Sequence, residues 1–289
     1  MEQYKVIGIG DNVVDKYVNQ GIMYPGGNAL NFCAYAKMCD MNVSYLGKFG
    51  NDKVAEFIQN VMDELGIEHS HCRKYEGENG YARVTLENRD RVFLGSNKGG
   101  IAKEKPWGFE ENDLEYIKEF SVIHTSLNSY IEGDLATLKK CNVPISFDFS
   151  VRWNDEYLES VCQYADISFL SCSHLNDDER KQEMLKAQRC GSKIVVGTVG
   201  EKGSYALYKD NWLYQPAKLT EAIDTMGAGD SYLTAFLVEL VRSSEKNEFF
   251  SDNDSNMINR IKLSMEKGAN FAAEICKVNG AFGHGTDII

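Results

Sequence analysis

Short apolar runs recur along the chain, each closed by Gly, Asp or Ser: "YKVIGIG" (4–10), "NVSYLGKFG" (42–50), "FSVIHTS" (120–126), "VPISFDFS" (143–150), "ADISFLS" (165–171) and "SKIVVGTVG" (192–200). Runs of this kind, rich in β-branched residues and ended by turn formers, predict strands. The stretches between them have helical spacing. In "NDKVAEFIQNVMDELG" (51–66), Val54, Phe57, Ile58, Val61, Met62 and Leu65 share one face and Gly66 follows as a C-cap. Strand alternating with helix, with no repeat and no linker, predicts one α/β domain over 1–289. Its central sheet is mostly parallel and flanked by helices on both faces.

Two segments break the rhythm. "GYARVTLENRDRVFLGS" (80–96) alternates around the polar tip Glu87-Asn88-Arg89-Asp90, which predicts an antiparallel hairpin, and "VVDKYVNQGIMYPGG" (13–27) reads as extended. Neither suits a helix-covered layer. Together, over roughly 12–26 and 80–96, they are expected to form a small β flap, and a flap over a cleft acts as a lid. A decorative hairpin is the alternative. The stretch "SSEKNEFFSDNDSN" (243–256) is read as a polar surface loop between the last helices.

The net charge of −12 over 289 residues argues against nucleic acid as a partner, because phosphate backbones require a basic face. No apolar stretch is long enough to span a bilayer, and "MEQYKVIGIG" is not read as a signal peptide. Eight scattered cysteines without a C-x-x-C pair read as reduced thiols of a cytoplasmic protein. "HSHC" (69–72) lacks a second ligand pair at zinc spacing.

The chemistry concentrates in "AIDTMGAGDSYLTAFLVELV" (222–241). Small residues let backbone approach a ligand closely. The first-turn N–H groups of a helix are unpaired and carry partial positive charge, so Gly227, Ala228 and Gly229 at a helix mouth make an anion hole. Asp230 in the same turn stays ionised beside that dipole. It can take a proton from a hydroxyl while the N–H groups hold the charge of a transferring phosphoryl. A plain helix cap is the alternative role for Asp230.

"DTMGAGD" (224–230) resembles the D-T-x-G-A-G-D signature of the ribokinase-like (PfkB) carbohydrate kinases, and "PGGNALNFCAYA" (25–36) resembles that family's early Gly-Gly-Asn signature. "GTVGEKGS" (197–204) is similar to its nucleotide-binding strand and turn, and the flap sits where the family has its β lid. The segments "GIGDNVVDKY" (8–17), "NRDRVF" (88–93), "SFDFSVRW" (146–153), "IDTMGAGDSY" (223–232) and "NGAFGHG" (279–285) resemble the fructoselysine 6-kinase branch.

The resemblance implies a ribokinase-like α/β fold with a small β lid, using ATP and Mg²⁺ to phosphorylate the terminal hydroxyl of a fructosamine. Asp230 would be the base, and the backbone of Gly227, Ala228, Gly229 and Asp230 the anion hole. Asp11, Asp15, Gly26, Gly27, Asn28 and Asn31 would line the sugar pocket; Thr198, Gly200, Gly203 and Asn270 would meet the nucleotide. Asp224 and Thr225 would lie at a monovalent-cation (K⁺) site. The family often carries N-x-x-E near the phosphates. The matching stretch "LSCSHLNDDE" (170–179) is read as departing from that pattern, which leaves the metal ligands unassigned, with Asp148 and Glu179 as substitutes. A homodimer through the lid is expected, since pairing two lids covers their strand edges. Among Arg83, Arg89 and Arg91, one is a candidate for a substrate carboxylate; His124 is read as structural.

Other acceptors (ribose, fructose, 2-keto-3-deoxygluconate, adenosine) fit the same polyol pocket. A non-catalytic sugar-binding regulator would not need the intact "GAGD". No G-x-x-x-x-G-K-[ST] and no full G-x-G-x-x-G is present, which sets aside P-loop and dinucleotide enzymes.

Overall fold

The apolar runs become parallel strands. The computed structural model describes residues 4–87, 90–244, 249–250 and 253–289. Its strands are β1 (Lys5–Gly10), β2 (Val13–Tyr17), β3 (Ile22–Gly26), β4 (Asn42–Phe49), β5 (Arg73–Lys74), β6 (Gly80–Glu87), β7 (Asp90–Ser96), β8 (Val122–Ser126), β9 (Ile145–Asp148), β10 (Ile167–Ser171), β11 (Ile194–Thr198), β12 (Ser204–Tyr208), β13 (Asn211–Gln215) and β14 (Thr286–Asp287). The main sheet runs β13-β12-β11-β10-β9-β8-β1-β4-β5 and is parallel except for β12 and β13. The β12–β13 hairpin was not anticipated. Its outer strand "NWLYQ" alternates half-buried and exposed residues, as expected of a sheet edge.

The helices are α1 (Asn28–Met38), α2 (Lys53–Leu65), α3 (Ile101–Glu104), α4 (Glu111–Ile117), α5 (Leu135–Lys139), α6 (Asp155–Cys162), α7 (Asp177–Arg189), α8 (Ala228–Arg242) and α9 (Asp254–Ile275). As its sequence predicts, α2 ends at left-handed Gly66 (φ 65°); its start is closed by Asp52, whose side chain accepts from Ala55 N at 2.9 Å. Side chains on a strand point to alternate faces, so successive residues feed different cores. Val6, Val122, Ile194 and Val196 pack with α1, α2, α8 and α9, whereas Ile7, Ile123 and Val195 pack with α4 to α7. Within 243–256, Phe249 and Phe250 pack against the first core, so this stretch is not purely polar surface; the rest of it falls partly outside the described residues.

A second sheet, β14-β3-β2-β6-β7, gathers both segments that broke the rhythm and adds β14, which the sequence pattern did not predict. Where the chain passes between the sheets, asparagines lace it together. Asn12 Nδ2 donates to Tyr45 Oη (2.9 Å) and Lys48 O (3.0 Å), Asn79 Nδ2 to Asn12 Oδ1 (2.8 Å), and Asn97 Nδ2 to Asn79 O (2.8 Å). Among the described residues no helix is long and apolar enough to cross a membrane.

Candidate active site

The "GAGD" turn opens α8. Gly227 is its N-cap in the left-handed region (φ 74°), and a Cβ there would lie 2.0 Å from Tyr35 Oη. That hydroxyl donates to Ala281 O at 2.5 Å; burial, then the charge of Asp230, pushes its pKa up, so it stays a donor. Gly229 faces open space, with nothing within 4 Å of the point where a Cβ would sit. Ahead of the turn, Asp224 is buried. Its Oδ1 accepts from Met226 N (2.9 Å), and its Oδ2 from Tyr17 Oη (2.9 Å) and Gly280 N (3.0 Å). Thr225 O accepts from Ala228 N, Cys276 O from Ile223 N and Asp224 N, and Ala281 O from Tyr35. Each of these acceptors takes at least one protein donor, and together the bonds fasten the 223–228 loop to β2, the α9 end and the 280–281 turn.

Asp230 stands in the first turn of α8. Its Oδ1 accepts from Asn28 Nδ2 at 3.0 Å and its Oδ2 from Asn31 Nδ2 at 2.6 Å. Asn28 Nδ2 is shared with Asp148 Oδ2 (2.9 Å), while Asn28 Oδ1 accepts from Asn128 Nδ2 (2.7 Å), whose own Oδ1 accepts from Arg152. Asn31 Oδ1 is buried without a hydrogen-bond partner. It lies 3.8 Å from where a Cβ on Gly26 would be, and Asp15 Oδ2 lies 2.9 Å from the same point. Two acceptors thus converge on one corner, and a buried unpaired acceptor calls for a donor such as a hydroxyl.

Asp11 is not part of that corner. Its carboxylate accepts from Asn28 N (2.9 Å), Ala29 N (3.2 Å) and the hydroxyls of Ser126 and Ser129 (3.2 Å each). It therefore caps α1 from outside, in place of Gly27, which has no side chain to offer. Gly27 (φ 112°) allows the approach, since a Cβ would come within 2.8 Å of Asp11 O. The contribution of Asp11 and Gly27 is to aim Asn28 and Asn31.

A cavity of about 490 Å³ opens above Asp230, lined also by Asn28, Asp148, Thr225, Gly227, Ala228 and Gly229. Through Ser171, Thr198, Thr225, Ala228 and Gly229 it shares a wall with a second cavity of about 320 Å³. Thr198, Gly200 and Gly203 line the second cavity, and so do Ala217, Leu219, Ala269, Ala272, Ala273 and Cys276, making it the more apolar end of one groove. Asn270 is exposed and does not line it; the face of α9 carrying Ala269, Ala272, Ala273 and Cys276 does. The sheet's carboxyl ends supply the floor, as open α/β sheets do.

Asp148, which the sequence pattern offered only as a substitute, is central here. It ends β9, lines the cavity and shares Asn28 with Asp230. Burial, then the neighbouring Asp230 charge, raises its pKa to about 7, against hydrogen bonds from Ser150 N and Asn28 that lower it. Among the described residues no group of three or more His, Cys, Asp or Glu side chains could hold a metal ion. Asn176 and Glu179 do stand at N-x-x-E spacing, which corrects the expectation that this stretch departs from the pattern. They are spent on each other in a capping box at the start of α7, with Asn176 Oδ1 accepting from Glu179 N (3.0 Å) and Glu179 Oε2 from Asn176 N (2.8 Å). Ser171, not Asn176, lines the groove.

The remaining candidates are elsewhere. His69 pairs with Asp63 and His71 stacks on Tyr116, so "HSHC" does not converge. His124 is buried mid-strand, and desolvation lowers its pKa to about 3, so it is neutral. Arg83 is exposed on β6; Arg89 and the Arg91 side chain lie outside the described residues.

The raised pKa of Asp148 has a measurable consequence. Between the unfolded value and about 7 the folded chain keeps a proton that the unfolded chain releases, so this group's contribution to stability falls as pH rises through that window. Asp148→Asn removes the titration. Its melting temperature relative to the parent is expected to shift in the variant's favour between pH 5 and pH 8, read by thermal melts at both.

Comparison with known proteins agrees with this geometry. The model of the pfkB family carbohydrate kinases matches residues 3–280. The chain is 38% identical over 283 residues to Fructosamine kinase FrlD of Bacillus subtilis (strain 168), covering 97% of this chain and 94% of that protein. It is 28% identical to Fructoselysine 6-kinase of Escherichia coli (strain K12), covering 79% and 86%. In fold it is similar to a ribokinase from Giardia lamblia (TM-score 0.81, 15% identity, 97% and 95% covered). It is also similar to an Arabidopsis thaliana ribokinase solved with ribose and ATP (TM-score 0.79, 19% identity, 98% and 95% covered). Signature turn, groove and whole-length match lead to one conclusion: this chain belongs to the pfkB family of carbohydrate kinases.

Proposed function

We propose that the protein transfers the γ-phosphoryl group of ATP to the terminal 6-hydroxyl of a fructosamine such as fructoselysine. The observation that carries the transfer is Asp230: a carboxylate in the first turn of a helix, oriented by two amides, at the floor of the groove. The names of the relatives at 38% and 28% identity support the fructosamine as acceptor.

The sugar lies in the corner formed by Asp15, Asn28 and Asn31, its terminal hydroxyl toward Asp230. The nucleotide follows Thr198, Gly200 and Gly203, with its base at the alanine-lined end. Asp230 takes the hydroxyl proton as the oxygen attacks phosphorus and ADP leaves, while the N–H groups at the mouth of α8 face the equatorial oxygens. The small sheet serves as a lid over the sugar and excludes water. Asp148 beside Asp230 is a pair of carboxylates in an open cleft, an arrangement that fits Mg²⁺ held by few protein groups, phosphates and water. When bound, the ion supplies positive charge against the phosphate oxygens, and Asp148 would hold its water shell.

ADP release from MgATP with fructoselysine, an α-fructosyl amino acid, fructose, ribose, 2-keto-3-deoxygluconate and adenosine tests this reading. A fructosamine preferred over every other acceptor is expected. Preference for ribose, a plain sugar or adenosine would overturn the acceptor and leave the kinase.

The proposal includes a homodimer through the small sheet. Its edge strand β7 exposes Val92, Phe93 (64% accessible) and Leu94 in succession. Apolar side chains on an edge strand invite pairing. Light scattering is expected to give a dimer, and Phe93→Glu to shift it to monomer.

A further inference from the structure

Strand β2 presents Asp15 and Tyr17 on one face, since residues two apart point the same way. Asp15 reaches the corner beside Asn31, the amide that holds Asp230. Tyr17 Oη donates to Asp224 Oδ2 at 2.9 Å in a buried hydrogen bond, and Asp224 Oδ1 accepts from Met226 N at 2.9 Å, next to Gly227. One strand of the small sheet therefore places a carboxylate in the corner where the base's supporting amide lies and bonds directly to the carboxylate that supports the anion hole. The Tyr17 ring is 1% exposed and meets Tyr24 edge-on at 5.3 Å, which fixes where the hydroxyl points. A phenol donating to a buried carboxylate is a charge-assisted bond, stronger than a neutral one.

We propose that Tyr17 is a positioning residue that makes the anion hole depend on the seating of the small sheet. The loop 224–229 takes its phosphate-binding form when β2 is docked, and a sugar held at Asp15 secures the same strand. Water brings no such contact, so phosphoryl transfer is gated by the acceptor. The inference rests on reading 227–229 as the phosphate site. A cation could fasten such a loop instead. Here protein donors fasten it: Tyr17 Oη and Gly280 N on Asp224 Oδ2, Met226 N on Asp224 Oδ1, and Tyr35 Oη on Ala281 O, of which Tyr17 alone comes from the small sheet's β2.

The test is Tyr17→Phe in the full chain, which removes one oxygen and keeps the ring. Hydrogen–deuterium exchange without ligand is expected to quicken about tenfold at the Met226 and Ala228 amides, with the rest of the chain unchanged. With MgATP and fructoselysine, kcat is expected to fall about tenfold. The sugar KM should stay within about twofold, and ATP hydrolysis without sugar should rise relative to transfer. K⁺ in place of tetramethylammonium is expected to restore nothing. Unchanged exchange at 226–228, or kcat restored by K⁺, would overturn the proposal. The exchange readout needs no acceptor. A parent chain that phosphorylates another sugar would therefore overturn only the acceptor proposed above.

Discussion

Asp230→Asn is expected to lower kcat by roughly 10²–10⁴ while the chain still melts cooperatively. The substitution keeps the shape and removes the capacity to take a proton. Both oxygens of Asp230 accept from amide nitrogens, Asn28 Nδ2 and Asn31 Nδ2, so the new amide must place its own NH₂ against one of those donors. That mismatch costs about 1–3 kcal/mol, a local loss that a domain of this size survives. A helix cap without catalytic duty would show the melting change alone. Steady-state turnover close to the parent's, in a variant that binds both substrates, would dismiss Asp230 as the base.

Gly227→Ala is expected to have the next largest effect, losing turnover by about 10²-fold and lowering the melting temperature as well. At φ 74° an L side chain is strained, and the added carbon would sit 2.0 Å from Tyr35 Oη. Either the turn moves and the N–H groups leave their line, or Tyr35 gives up Ala281 O. Gly229→Ala is the control. Its methyl meets nothing within 4 Å in the protein, so stability holds while the nucleotide KM rises as the methyl enters the groove. Tyr35→Phe on top of Gly227→Ala should return part of the lost stability, because the clashing oxygen is gone. A Gly227→Ala protein with the parent's melt and turnover would show that the turn has no need of a bare backbone.

How much of this is legible in the sequence follows from how local each signal is. The parallel strands β1, β4, β8, β9, β10 and β11 are, because each is buried on both faces and writes an apolar run; the two-residue parallel strand β5 writes none. Strand β13 is not, because its half-buried face carries Asn211, Leu213 and Gln215 while Trp212 and Tyr214 are exposed, so no apolar inner face is written; β14 is two residues whose pairing is decided by distant Met23 and Ile22. The "GAGD" turn is legible because glycine, anion hole and carboxylate are consecutive. Asp148 is not, because its role arises only when the end of β9 arrives beside Asn28 and Asp230. Asp11 looks like a sugar ligand because a sequence does not show whether a carboxylate faces a cleft or the end of a neighbouring helix. Asn270 lies on the right helix, but the lining face runs through 269, 272, 273 and 276, and one residue turns the side chain out of it. The N-x-x-E of 176–179 is a matter of competing uses, since the same pair closes a helix end.

The bond between Asn28 and Asp230 joins positions 202 apart in the chain, and that between Asn28 and Asp148 positions 120 apart. Contacts of such separation are the slowest to close, because the entropy of ordering the intervening chain must be overcome first. During synthesis the amides of α1 emerge long before the carboxylate they orient. Helices and the early strands can therefore be complete while the protein has no chemistry at all. Competence requires the last third of the chain to be docked onto the first.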